Sequence, residues 1–363
     1  MQSKNTAYLE RLDHLRALAA LCVVLFEFRG YMRQLPLPHF SLALIERGQV
    51  GVALFMVISG FILSHIVGAS ELDVPRFYLN RILRIYPLFI FIVTLGYFVV
   101  PDPRDTQTGV DFLLALLPIS NLYRLHYGTY GGMMWSIAVE LQFYLLFPFL
   151  WRLLRARGAS VGLVLIAFMI GTRTLAYLSA GAAYSFGYFS LFGSIDAFVI
   201  GCLAQLVYER LPKLLPIWLP ILAFVAVVGI AHGELRSSPS GSTWIVWPTL
   251  LSTALGVRLV SYLKAPYGII GGRVIAYVGR VSFSMYVWQY VVFEAIGRFL
   301  PVGGRVDTYL LDLLVAFFAV LPVAAASYYV LERPFLELRV RYLRPSANEN
   351  PATKRDEPGE PAR

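Results

Sequence analysis

The chain has 363 residues, 58% of them hydrophobic and 15% charged, with a formal net charge of +9. A water-soluble domain is nearer half apolar and a quarter charged, so the composition excludes a soluble globular protein and implies a polytopic membrane protein. The positive charge would also suit nucleic acid, but Lys and Arg fall in short clusters between apolar runs. That is the positive-inside pattern of cytoplasmic loops, and no nucleic-acid partner is expected.

Met1 to Arg16 is polar and basic, which predicts a cytoplasmic start with no cleavable leader. A first span follows over about Ala17–Met32, then an outer loop with Pro36, Pro38 and His39. A second span covers Val50–Val67 and a third Ile85–Val100, with Arg76, Arg81 and Arg84 in the cytoplasmic stretch between them. Pro101–Thr108 is turn-rich. Leu113–Leu122 is apolar but shorter than the ~17 residues a span needs, so it reads as a re-entrant or interfacial element. Trp135–Trp151 is the fourth span, ending at Arg152, Arg155 and Arg157. Further spans are expected at Val161–Leu178, Leu191–Tyr208, Leu214–Ile230, Trp244–Leu263, Val281–Leu300 and Tyr309–Leu331. Their basic flanks place Arg210, Lys264 and Arg333 to Arg344 inside. The fold class is therefore all-α, with ten transmembrane helices, both termini cytoplasmic, one integral-membrane domain over residues 1–344 and a tail over 345–363. Ser346–Arg363 is charged, proline-rich and without large apolar residues, so it is expected to be disordered.

Several ionisable residues fall inside apolar runs, where they are costly and point to function. Glu27 follows Arg16 by eleven positions. That returns it to roughly the same helix face, ~16 Å along the axis. Ser136 and Glu140 lie at i and i+4, which puts a hydroxyl and a carboxylate on one face. Arg81 and Arg84 share a face and can grip phosphate groups, although membrane anchoring explains most such arginines. Pro87 fits the start of an apolar helix. Asp196, Arg280, Ser282, Ser284, Tyr286, Gln289 and Glu332 add polar positions on separate spans, which together imply a hydrated interior. No histidine, cysteine or acidic cluster has metal-ligand spacing, and no metal is expected.

These stretches, in this order, resemble the integral-membrane acyltransferase-3 family, which includes bacterial O-acetyltransferases of surface polysaccharides. The resemblance rests on Leu12-Asp13-x-x-Arg16, Phe55-x-x-x-Ser59-Gly60-Phe61 and Arg81-x-x-Arg84-x-Tyr86-Pro87. It continues through Trp135-Ser136-x-x-x-Glu140-x-x-Phe143-Tyr144-x-x-x-Pro148, Asp196-Ala197-Phe198-x-x-Gly201, Gly279-Arg280-x-Ser282-x-Ser284-x-Tyr286-x-Trp288 and Glu332-Arg333-Pro334. It implies transfer of an acyl group, usually acetyl, from cytoplasmic acyl-CoA (acetyl-CoA) to a hydroxyl of an extracytoplasmic glycan. It implies a multi-pass protein of the inner (plasma) membrane that works among membrane lipids and alongside glycan-assembly or export proteins. Arg16, Arg81, Arg84 and Tyr86 match the donor-binding positions, and Glu27, Glu140 and Ser136 are the candidate catalytic groups. One departure stands out: Glu27 occupies the place of the family's usual first-span histidine, and Gln289 that of a second. Either Glu27 acts as the base, or the chain is a non-catalytic relative serving as a transporter or accessory protein in polysaccharide export.

Overall fold

The computed structural model describes residues 8–31, 46–48, 50–98, 109–121, 134–181, 183–235, 241–266, 268–299 and 309–344. The loops expected at Pro36–His39, Pro101–Thr108 and Pro301–Asp307, and the tail Ser346–Arg363, lie outside these residues.

The helices are α1 (Glu10–Tyr31), α2 (Val50–Val67), α3 (Val74–Phe98), α4 (Gly109–Leu116), α5 (Met134–Arg157), α6 (Ala159–Ala180) and α7 (Ala183–Phe189). They continue with α8 (Leu191–Arg210), α9 (Trp218–Leu235), α10 (Trp247–Leu263), α11 (Gly272–Arg280), α12 (Ser282–Phe299), α13 (Tyr309–Ser327) and α14 (Arg333–Glu337). A π-helical turn, Tyr328–Glu332, joins the last two. Among the described residues six runs are long and apolar enough to cross a membrane: α2, α3, α5, α6, α8 and Leu314–Glu337. Trp218–Gly233 is a shorter apolar run. Outward-facing apolar side chains belong to this class of molecule: Leu163, Phe168 and Leu178 of α6 are 62%, 58% and 73% exposed. A water-soluble protein rarely leaves such a stripe bare, so this is a membrane protein.

The expected spans fall on helices, but three boundaries differ in ways that matter. The first helix starts at Glu10, well before Ala17, so Asp13, His14 and Arg16 lie on helical turns. The third starts at Val74, because the Asp73 carboxylate caps it by accepting from the Arg76 amide at 3.2 Å. Pro87 therefore lies inside α3 and not at its start, and removes one internal donor there. Residues 272–280, between the spans expected at Trp244–Leu263 and Val281–Leu300, form the separate helix α11 against α1. The element expected at Leu113–Leu122 is the short helix α4 followed by turns.

Helix α2 packs lengthwise on α8, and only glycine permits the approach. A Cβ on Gly60 would sit 2.1 Å from the Phe198 carbonyl oxygen, and one on Gly201 2.1 Å from that of Val57. Helix α1 lies against α2, α11 and α12, and α10 against α8 and α9. Two strands, β1 (Glu71–Leu72) and β2 (Leu343–Arg344), pair antiparallel. Beside them the Asn80 side chain grips Val340, donating to its carbonyl at 2.7 Å and accepting from its amide at 2.9 Å. This ties residues 339–342 to the start of α3, where they close one end of the interior.

Candidate active site

The interior holds a cavity of about 270 Å³ bounded by α1, α2, α3, α5 and the start of α12. Along α2 it runs from Val52 to Ile66, roughly 21 Å of helix at 1.5 Å per residue. Its lining combines two chemistries. The guanidinium-bearing side chains of Arg16, Arg81, Arg84, Arg280 and Arg339 share it with Ser59, Ser136, Glu140 and Tyr144 of α2 and α5, and Tyr144 joins the two sets, its ring 5.5 Å from the Arg81 guanidinium.

The arginines are held differently. Arg16 pairs with Asp13 one turn earlier, at 3.5 Å. Arg84 donates to Glu332 at 3.0 Å, and Ser284 donates to the other oxygen of the same carboxylate. The π-helical turn widens the backbone at this point and delivers both Tyr328 to the cavity and Glu332 to Arg84. Arg81 is stacked between rings, 5.5 Å from the centroids of both Phe77 and Tyr144. Burial and the neighbouring Arg84 and Arg81 pull the Arg339 guanidinium below its ordinary value, the mark of positive charges crowded on one wall. Five arginines share this lining with two carboxylates, Asp13 and Glu140. An anion with several charged oxygens suits such a surface.

Beside the Arg81–Tyr144 stack, Glu140 Oε1 accepts from Ser59 Oγ at 3.0 Å and from the Tyr144 hydroxyl. Ser136, one turn before Glu140, shares a 2.6 Å hydrogen bond with the Tyr286 hydroxyl of α12. A carboxylate and two hydroxyls on adjoining helices can take up a proton and donate to an oxyanion.

The structure thus brings Arg16, Arg81, Arg84, Ser136 and Glu140 to one cavity and leaves Glu27 and Tyr86 outside its lining. Glu27 accepts from Tyr290 at 2.5 Å, one turn along α12 from Tyr286. Tyr86 packs edge-on against Phe89. Gln289 is buried, and neither polar atom of its side chain has a partner among the described residues. Arg280 and Tyr286 carry a sequence signal as polar positions near a span end. Arg339 reads only as a basic anchor, and its place in the cavity comes from the Asn80–Val340 grip. No three His, Cys, Asp or Glu side chains gather as a metal site among the described residues.

A family model described as an acyltransferase domain matches residues 9–331. The O-acetyltransferase OatA of Staphylococcus aureus is 22% identical over 361 residues, covering 90% of this chain and 57% of OatA. The chain therefore spans little more than half of that relative. ORF330 of Acidianus two-tailed virus, provisionally named an acetyltransferase, is 26% identical over 349 residues, covering 93% of this chain and 94% of the viral protein. No solved structure matches.

Proposed function

We propose, from the premise that this chain belongs to the acyltransferase-3 family, that it carries an acetyl group from cytoplasmic acetyl-CoA to a hydroxyl of a glycan beyond the membrane. The observation that supports this most is a single cavity that joins five arginines to the Ser136, Glu140 and Tyr286 side chains. Those arginines lie among basic flanks that the positive-inside rule assigns to the cytoplasm. Phosphates of the donor are held there by guanidinium forks, and the acyl arm extends along α2. Glu140 takes the proton of the attacking hydroxyl, whose oxygen bonds to the thioester carbonyl carbon. The Ser136 and Tyr286 hydroxyls donate to that carbonyl oxygen as it gains charge. The C–S bond then breaks, the ester forms, and the CoA thiolate receives a proton. Helix count follows the same reading: ten spans, with both termini inside, keep these basic flanks cytoplasmic. The inner (plasma) membrane, where acetyl-CoA and envelope glycans face each other, is the location this requires, with glycan-assembly or export proteins as neighbours.

Arg81 tests the donor end, because its partners are aromatic rings rather than a carboxylate. Binding of labelled acetyl-CoA to the detergent-solubilised protein is expected to weaken about tenfold or more in Arg81→Ala, equivalent to ~1.4 kcal/mol or more. It should also weaken as salt rises. Unchanged affinity would remove the donor assignment.

Glu27 acts at one remove in this reading, through Tyr290 on the helix that carries Tyr286. It is a positioning residue. Glu27→Gln and Tyr290→Phe are each expected to lower kcat for transfer by about tenfold, the worth of one hydrogen bond to a charged group, with the KM for acetyl-CoA unchanged, and the double variant to be no worse than either single one. Additive losses would separate the two residues. A loss in Glu27→Ala that Glu27→His reverses would make position 27 the base itself.

A further inference from the structure

We propose that a second pocket, at the end of the fold away from the basic flanks, receives a neutral pyranose ring of the acceptor. This rests on the acyl-transfer reading above and names where its acceptor docks. The pocket has a volume of about 50 Å³, and its walls carry Trp135, Tyr188, Trp244 and Trp247. Trp135 and Tyr188 have ring centroids 4.5 Å apart, which braces one wall. Its polar lining is Ser194, Asp196 and Ser252.

Location follows from the helices that build it. Trp135 opens α5, Asp196 lies in the second turn of α8, and Trp247 opens α10. The same helices end at Arg155 and Arg157, Arg210 and Lys264. Basic ends face the cytoplasm, so the pocket faces the other side. It also abuts the main cavity: Val52 and Met56 line both, and Trp135 lines the pocket while its neighbour Ser136 lines the cavity. A ring seated in the pocket is thus one residue along α5 from the hydroxyl proposed to act on the thioester.

The chemistry selects a sugar. A pyranose has an apolar C–H face, which aromatic rings cover, and a hydroxyl edge, which needs a few fixed polar groups. Asp196 provides one. Its Oδ2 accepts from Arg173 at 2.5 Å and from Thr249 at 2.5 Å, and its Oδ1 from the Ala197 amide at 3.1 Å. A carboxylate offers about four lone-pair sites, so one remains for a hydroxyl. Because Arg173 balances its charge, the pocket favours a neutral ring. Its size admits one face or edge of a ring and leaves the remainder of a polymer outside.

The test fills the pocket with Ser252→Trp and empties it with Trp247→Ala. Full-length protein in membranes of the producing cells, with their own envelope glycan, is supplied with labelled acetyl-CoA. Transfer to glycan is expected to fall at least tenfold in both variants, with acetyl-CoA binding within twofold of wild type. Saturation-transfer NMR with neutral oligosaccharides released from that glycan should report ring-proton contacts to wild type and none to Ser252→Trp. Transfer within twofold of wild type in Ser252→Trp overturns the assignment. So does loss of acetyl-CoA binding together with transfer in both variants, which makes the pocket part of the fold, or displacement of a co-purified lipid without loss of transfer. Sugar contacts without any wild-type transfer would keep the pocket and sink the acyl-transfer reading instead.

Discussion

Glu140→Gln is expected to lower acetyl transfer by about 10²–10⁴-fold, the range general-base catalysis supplies, while leaving acetyl-CoA affinity within twofold. The expectation rests on position. Glu140 lies in an apolar helix yet lines the cavity, and the donors to its Oε1, Ser59 and Tyr144, are neutral hydroxyls. Glutamine keeps the shape and can still accept from both through its amide oxygen, so the fold is preserved. What it loses is the ability to take a proton. Single-turnover transfer, measured beside equilibrium binding of labelled acetyl-CoA, separates these effects. If both fall together, Glu140 holds the cavity open instead of acting in it. Tyr144→Phe is a useful companion: it removes one donor and should cost less than the loss of the carboxylate.

Arg173→Met is expected to destabilise the protein by about 3–5 kcal/mol, because it strands one member of a buried ion pair. Arg173 and Asp196 are 0% and 1% exposed. Arg173 donates to Asp196 at 2.5 Å and to Thr249 at 2.7 Å, and Thr249 donates to the same carboxylate oxygen. Three helices, α6, α8 and α10, meet at this point. Removing the guanidinium leaves a carboxylate in a low-dielectric interior with two weaker donors. The double variant Arg173→Met with Asp196→Leu removes both charges and should recover most of the loss, since an apolar pair of similar volume replaces an ionic one at little cost. Thermal unfolding of the detergent-solubilised single and double variants gives the comparison. A double variant no more stable than Arg173→Met would show that the hydrogen bonds to Thr249 and the backbone, not the charge, hold these helices.

Much of the fold was legible because apolar length and basic flanks are local properties. Val50–Val67 was bounded to the residue, and the spans through Trp135, Val161 and Leu191 fall on α5, α6 and α8. What failed to register was set by single capping contacts or by amphipathic periodicity. Asp73 starts α3 a full stretch before the apolar run begins, which puts Pro87 mid-helix. Helix α11 has nine residues and carries Arg273 and Arg280, so it is too short and too charged to stand out as an apolar run. The site divides in the same way. Ser136 and Glu140 share a helix, and i,i+4 spacing was enough to put them on one face. Arg16 and Glu27 also share a helix and a face, but they lie about 16 Å apart along the axis: Arg16 lines the cavity, and Glu27 lies beyond its lining and meets Tyr290. Arg339 reaches the cavity through a contact 260 positions away in sequence, Asn80 to Val340, and spacing carries no signal for that. The Arg173–Asp196–Thr249 cluster is likewise tertiary, since its members lie on three helices.

The most direct test of the account is sidedness. Inside-out vesicles carrying wild type or Glu140→Gln at matched levels would be given labelled acetyl-CoA from outside, which is the cytoplasmic face, with the envelope glycan enclosed. The account predicts label on the enclosed glycan with wild type, at least about 10²-fold less label with Glu140→Gln, and none when acetyl-CoA is supplied only to the glycan side. Label appearing from donor on the glycan side, or an enclosed glycan labelled equally by wild type and Glu140→Gln, would contradict it.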